Sequence, residues 1–273
     1  MADERRSSGR VGAASLRNHA VSTAVDDLVT GEQARLGRPL QVLDLGGGTG
    51  GLAVRLAELG HAVTVLDPSP DALAALTRRA AESGVADRVT ALQGDADSLV
   101  GTSPLVGPEP TEPTEPTRLA GPYDLVCCHG VLEVVDDPAA TLTAAAGVLA
   151  PGGHLSVTVP GRLAAVLAKV LAGDVGAALE LLVSADGRWG AADPLPRRFD
   201  LAGLRRLLED AGLVVQRLQG VRVFGDLLPA GALDDPSDQS AFLALEQAVS
   251  THPDHGAVLG GLGAHLHAVA RST

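Results

Sequence analysis

Short apolar runs and longer stretches of helical period take turns along this chain. Residues 41–45, 62–66, 88–93, 123–128 and 154–159 form compact apolar runs, the pattern of strands buried on both faces. Between them, 51–59 reads as a helix stopped by Gly60. Residues 70–83 read as a second helix, with Ser69 placed to cap it, Pro70 in its first turn and Gly84 behind it. A third covers 138–149, and 13–29 carries Leu16, Ala20, Val25 and Leu28 at the spacing of an amphipathic helix. Further on, 163–184 predicts one or two apolar helices interrupted near Gly173, and 186–198 a loop rich in Gly and Pro. Asp200 can cap a helix over 201–211, which Gly212 ends. Residues 213–224 predict a sixth strand, 237–249 a helix and 263–271 a last strand. Alternating strands and helices imply an α/β fold, a mostly parallel sheet with helices on both faces. A ligand then sits beyond the carboxyl ends of the strands, where the strand order reverses.

Two stretches stand outside this alternation. Residues 1–12 are polar and charged and predict a disordered N-terminus. Residues 101–121 contain a repeated Pro-Glu-Pro-Thr pattern, in which proline and like charge oppose helix and ladder, so an extended surface insertion is expected. The expected organisation is one domain over 13–273, carrying this insertion and a helical substrate cap near 161–198. A chain of 273 residues with 45% apolar content supports a full core, built of small aliphatic side chains because aromatics make up only 2%. The formal charge of −12, with Lys169 the one lysine, weighs against a broad nucleic-acid footprint but leaves room for a local basic patch. Cys127 and Cys128 are neighbours on a strand and point to opposite faces, poorly placed to pair. With no apolar signal region and no membrane-length run, a cytoplasmic protein is expected.

The chemistry gathers at strand ends. The first strand delivers Asp44 into Gly46-Gly47-Gly48-Thr49-Gly50, where glycine lets the backbone turn sharply and approach a ligand. Alone, such a loop is equally a tight strand–helix turn. The second strand ends at Asp67, about twenty residues beyond the loop, where an acidic side chain can accept both hydroxyl protons of an adenosine ribose. Asp67 also begins the turn Asp67-Pro68-Ser69-Pro70, and both roles are compatible. After the third strand, Asp95 and Ala96 lie at the depth of an adenine amino group, while Asp97 is equally a helix cap. The fourth strand runs Tyr123-Asp124-Leu125-Val126-Cys127-Cys128 into His129, and Leu149-Ala150-Pro151-Gly152-Gly153 introduces the fifth.

In this order and spacing, these motifs resemble those of class I S-adenosylmethionine-dependent methyltransferases over about residues 13–225. The resemblance implies a Rossmann-like, seven-stranded sheet, S-adenosyl-L-methionine as cofactor and no metal. Leu43-Asp44-Leu45-Gly46-Gly47-Gly48, His129-Gly130-Val131-Leu132-Glu133, the segment Gly220-Val221-Arg222-Val223-Phe224-Gly225-Asp226 and the tail near Leu266-His267-Ala268-Val269-Ala270-Arg271 are similar to the bacterial tRNA 5-carboxymethoxyuridine methyltransferases. That resemblance implies cofactor contacts from Arg17, Gly46, Gly47, Asp67, Asp95, Ala96 and His129, joined by Asp44 and Gly48 of the same loop. Arg17 suits a bidentate clamp on the methionine carboxylate, and on the residues alone it is equally a surface Arg.

Methyl transfer is an in-line displacement, so alignment is the main demand. A carboxylate acceptor is ionised at pH 7 and needs a cation to hold it, with Arg222 and Arg197 as candidates. An amine or phenol needs a base, and His129 or Glu133 comes first. The alternative for Arg222 is a solvent-facing strand residue, and for Glu133 the start of the next helix. The acceptor thus stays open between tRNA, which the Gly-Val-Arg-Val-Phe segment favours, and a small molecule, which the acidic balance favours. A DNA methyltransferase and a non-catalytic cofactor-binding regulator are weaker alternatives.

Overall fold

The structure, a computed structural model, describes residues 13–99, 119, 121–229 and 231–273. The N-terminal stretch 1–12 and nearly all of the Pro/Glu/Thr-rich insertion lie outside the described residues, as does the side chain of Arg17. Helix α1 (Ala13–Leu36) leads into strand β1 (Gln41–Leu45), α2 (Gly51–Glu58), β2 (Ala62–Asp67), α3 (Pro70–Glu82), β3 (Val89–Gln93) and β4 (Tyr123–His129). Then follow α4 (Pro138–Gly147), β5 (Leu149–Pro160), α5 (Arg162–Leu171), α6 (Val175–Val183), α7 (Leu201–Asp210), β6 (Leu213–Val221), α8 (Pro236–Thr251), α9 (Gly256–Gly260) and β7 (His265–Ser272). Among the described residues the strands form a seven-stranded sheet in the order β3-β2-β1-β4-β5-β7-β6. It is parallel from β3 to β5, and β7 runs antiparallel to both its neighbours. This is the Rossmann-like sheet the sequence predicts. Its order reverses between β1 and β4, which places the ligand cleft at their carboxyl ends.

Strand alternation divides the core in two. Val42, Val63, Val65, Leu125 and Cys127 pack with Val25 and Val29 of α1, Leu56 of α2 and Leu76 of α3. Leu43, Leu45, Leu66, Val126, Cys128 and Leu155 face the other way, onto Leu142 of α4 and Leu204 and Leu208 of α7. Successive residues of one strand therefore serve different layers, which explains apolar runs without alternation. The two free cysteines fall in different cores for the same reason.

The expected caps form. The Ser69 hydroxyl accepts from Ala72 N–H at 3.2 Å, and Asp200 accepts from Gly203 N–H at 2.7 Å. Asp124 of the Tyr-Asp-Leu-Val motif sits at the amino end of β4, away from the cleft. It accepts two hydrogen bonds from Arg38, at 2.7 and 2.9 Å, and one from Gln41 N–H at 2.8 Å, tying the entry of β1 to β4.

Several boundaries differ from expectation. Helix α1 continues past residue 29 to Leu36, because no breaker intervenes before Gly37. Strand β5 starts already at Leu149, with the Pro-Gly-Gly turn carried as an irregularity between the Tyr123–Leu149 and Leu125–His154 pairs. Strand β6 stops at Val221 rather than at residue 224, because Arg222 adopts a left-handed φ of 57° and turns the chain. The short helix α9 has no counterpart in the sequence reading. The excursion 162–198 leaves and rejoins the sheet at one neck. There Arg162 N–H donates to Phe199 O at 2.8 Å, and Phe199 N–H donates to Pro160 O at 3.0 Å.

Candidate active site

The glycine loop closes over the end of the second strand. Gly46 N–H donates to Leu66 O at 2.7 Å, and Gly48 N–H donates to Asp67 Oδ2 at 2.8 Å. The other Asp67 oxygen accepts from Ser69 N–H at 2.9 Å. Asp67 thus performs the turn-starting role and also anchors the loop. Each carboxylate oxygen still has a lone pair for a hydroxyl donor. Its own carbonyl accepts from Gly94 N–H at 3.2 Å, which draws the end of β3 into the same rim. Ala96 is buried there in a single 3-10 turn, Ala96–Leu99, while Asp95 is exposed beside it.

Asp44 is buried beneath the loop, its Oδ2 unpaired among the described residues. A side chain on Gly47 would meet that oxygen at 2.6 Å, so the loop lies directly on the carboxylate. Burial, with Asp67 as a like-charged neighbour, raises its pKa to about 7. A carboxyl group whose folded pKa exceeds its unfolded value holds its proton more tightly when folded. The ligand-free protein should therefore lose stability from this group as pH rises from about 4 to about 7, and change little from it above. Melting curves across that range should show a shallower fall for Asp44→Asn than for the unmutated chain. Parallel profiles would mean that Asp44 is not held protonated.

Beside the loop opens a cavity of about 470 Å³, within the range of small-ligand sites. Val21, Ser22 and Val25 of α1 line one wall, with Gly51, Leu52 and Arg55 of α2 below. His129, Gly130, Thr158, Val221 and His265 complete it from the carboxyl end of the sheet. Arg17 lies one turn ahead of Val21 on α1. His129 donates to or accepts from Ser156 Oγ at 2.8 Å. Burial, and the nearby charge of Arg55, bring its pKa down to about 4.

Two expectations about cations need correction. Arg197 is not free to hold an acceptor. Its guanidinium donates to Leu132 O at 3.0 Å, to Val135 O, and to Asp136 O at 3.3 Å, and so pins the loop after β4. Arg222 is not a solvent-facing strand residue. It lies past the end of β6 with a side chain 20% exposed and ion-paired to Asp226. Its charge, after burial, helps to lower the pKa of His265 on the cavity wall. Glu133 does not begin a helix. It is buried in the turn before α4, its Oε2 unpaired among the described residues, and burial raises its pKa against the pull of Arg197.

Arg55, Thr158 and His265, to which the sequence analysis gives no role, also line the cavity. Arg55 faces the cavity one turn inside α2 and is ion-paired to Asp26 of α1. Its signal was helical spacing from Gly51, which puts both on the loop-facing side. Ser156, Thr158, His265 and His267 are polar positions inside otherwise apolar strands, and that break in pattern marked them. Among the described residues, no group of three His, Cys, Asp or Glu could hold a metal ion, and no helix is long and apolar enough to cross a membrane.

Comparison with known proteins agrees with this geometry. Residues 17–218 match the family model described as a methyltransferase domain. Over 189 residues the chain is 31% identical to the tRNA 5-carboxymethoxyuridine methyltransferase of Escherichia coli, covering 69% of this chain and 65% of that one. Over 184 residues it is 30% identical to the ubiquinone biosynthesis O-methyltransferase of Xylella fastidiosa, covering 67% and 64%. The chain thus spans about two thirds of the length of these relatives. The fold is similar to the magnesium protoporphyrin IX methyltransferase of Synechocystis PCC 6803, solved with bound SAH. There the TM-score is 0.55 and the identity 17%, over 97% of this chain and 90% of that one.

Proposed function

This chain belongs to the methyltransferase domain family, and from that premise we propose that it transfers the methyl group of S-adenosyl-L-methionine to a carboxylate, that of 5-carboxymethoxyuridine in tRNA. The cofactor supplies a methyl carbon already activated by its sulfonium. The protein's part is to bind and align. Asp67 and the Gly46–Gly48 backbone hold the nucleoside half, with Asp95 and Ala96 near the base. Asp44 supports the loop from beneath. Arg17, of α1, clamps the methionine carboxylate.

One observation carries the choice of a carboxylate. Among the described residues lining the cavity, the titratable bases are histidines shifted away from neutrality: His129 stands near 4, and burial also lowers His265. A general base works best with a pKa near the working pH, so an amine or phenol would find poor help here. A carboxylate arrives ionised and needs no base, and Arg55, ion-paired to Asp26, is the cation in the wall. The identity with the Escherichia coli enzyme supports tRNA as its carrier and, with it, a cytoplasmic setting.

A small-molecule carboxylate is the second reading. The closed excursion 162–198 favours it, because α5 and α6 expose Leu171, Val175, Leu179, Leu182 and Val183, as an apolar substrate cap does. Deleting the gene and profiling tRNA nucleosides by mass spectrometry separates the two. Loss of the carboxymethoxyuridine methyl ester is expected. An unchanged nucleoside profile would remove tRNA as the acceptor.

A further inference from the structure

Behind His129 a polar chain runs through the apolar interior of the sheet. His129 of β4, Thr158 of β5 and His267 of β7 share one row, by the pairs His129–Thr158 and Thr158–His267. Ser156 lies two residues back on the same face of β5. Its hydroxyl sits 2.8 Å from His129 Nε2 and 3.0 Å from His267 Nε2. The two rings are 6.2 Å apart at 82°, too far to bond directly, so Ser156 is the link. Ser156 and His267 are fully buried.

The direction of this chain follows from counting protons. A hydroxyl has one hydrogen and can donate to only one imidazole, so the other imidazole must donate to it. Both rings are neutral at pH 7. Burial is the main cause, helped by Arg55 near His129 and by His129 and Arg217 near His267, and the pKa values fall to about 4 and about 3. Each ring therefore carries one proton. Among the described residues, His267 Nδ1 is buried without a partner. An orphaned buried N–H is rarer than an under-used acceptor, so the His267 proton belongs on Nε2. That nitrogen then donates to Ser156, Ser156 donates to His129 Nε2, and the proton is left on Nδ1 of His129, a ring that lines the cavity.

We propose that Ser156 and His267 are positioning residues that lock His129 as a neutral Nδ1–H donor, presented to an oxygen of the ligand that occupies the cavity. The assignment rests on the methyltransferase reading for the identity of that ligand, but the proton's location does not. His129 then grips an oxygen that already carries lone pairs and does not remove a proton from the acceptor. A carboxylate is the class of acceptor that such a donor serves.

Nitrogen-15 NMR of histidine-labelled protein tests this, because protonated and bare ring nitrogens resonate far apart. The wild-type protein should show His129 protonated on Nδ1 and bare on Nε2. Ser156→Ala should release the ring to the Nε2–H form, and Ser156→Thr, which keeps the hydroxyl, should restore Nδ1–H. A wild-type His129 protonated on Nε2 overturns the proposal whatever the protein's activity, as does an unchanged tautomer in Ser156→Ala. With the methyl acceptor at hand, Ser156→Ala should raise its KM about tenfold, the scale of one hydrogen bond to a charged group. Ser156→Thr should recover it, and an unmoved KM would overturn the link to the acceptor. Failure to find any methyl transfer would count against the proposed function and leave the tautomer result standing.

Discussion

Asp67→Ala should weaken S-adenosyl-L-methionine binding by about 1–3 kcal/mol for each ribose hydroxyl lost, roughly thirtyfold or more in Kd for the pair. The large effect comes from two tasks resting on one side chain. The carboxylate would accept from the ribose, and it also holds Gly48 N–H at 2.8 Å and Ser69 N–H at 2.9 Å. Without it, the glycine loop loses its tie to β2 at the place where it must approach the cofactor. Asp67→Asn separates the tasks, since its amide oxygen can still accept from Gly48 while the charge and one acceptor oxygen are gone. Titration calorimetry should rank wild type above Asn and Asn above Ala. Equal affinities for all three would show that the ribose lies elsewhere.

Local pattern made the frame of this site legible and left its second layer dark. Strand periods, Ser69, Asp200 and the glycine loop are local features, so residues 41–45, 62–66 and 123–128 declared themselves as strands and their ends as a cleft. Asp67 was visible for the same reason. Arg197 was not interpretable, because whether a guanidinium is free depends on what folds against it. Here the loop 132–136 presents it with a fan of carbonyls. Arg222 looked like a strand residue because its neighbours Val221 and Val223 are β-branched, yet its φ of 57° ends the strand. The partnership of His129 with Ser156 and His267 joins positions on three strands, and the last of these comes from the far end of the chain. Only sheet register brings them together, and no local period encodes register between β5 and an antiparallel β7. Asp44 shows the same limit in electrostatic form. Its place in the motif was clear, but its proximity to neutrality follows from burial beside Asp67.

Two glycines of the loop should fail in different ways when changed to alanine, and the contrast tests which part of the loop faces the ligand. Gly50 has φ 76°, and a Cβ there would come within 2.0 Å of Leu76 Cδ1, in the core between α2 and α3. Left-handed backbone costs a non-glycine residue about 1–2 kcal/mol, and forcing Leu76 aside adds about 1–3 kcal/mol. Gly50→Ala should therefore lower Tm by roughly 4–20 °C, at about 2–4 °C for each kcal/mol in a domain of this size. Gly48 has φ 56° with nothing within 4 Å of its added Cβ, so only the backbone cost applies and Tm should fall by a few degrees. The open space beside Gly48 is where the cofactor backbone would run, and a methyl group there should reduce affinity at least tenfold. A Gly48→Ala variant that binds S-adenosyl-L-methionine normally would move the cofactor away from the loop. A Gly50→Ala variant that melts like wild type would mean that Leu76 yields at no cost and that the helix following the loop is less firmly packed than its buried face implies.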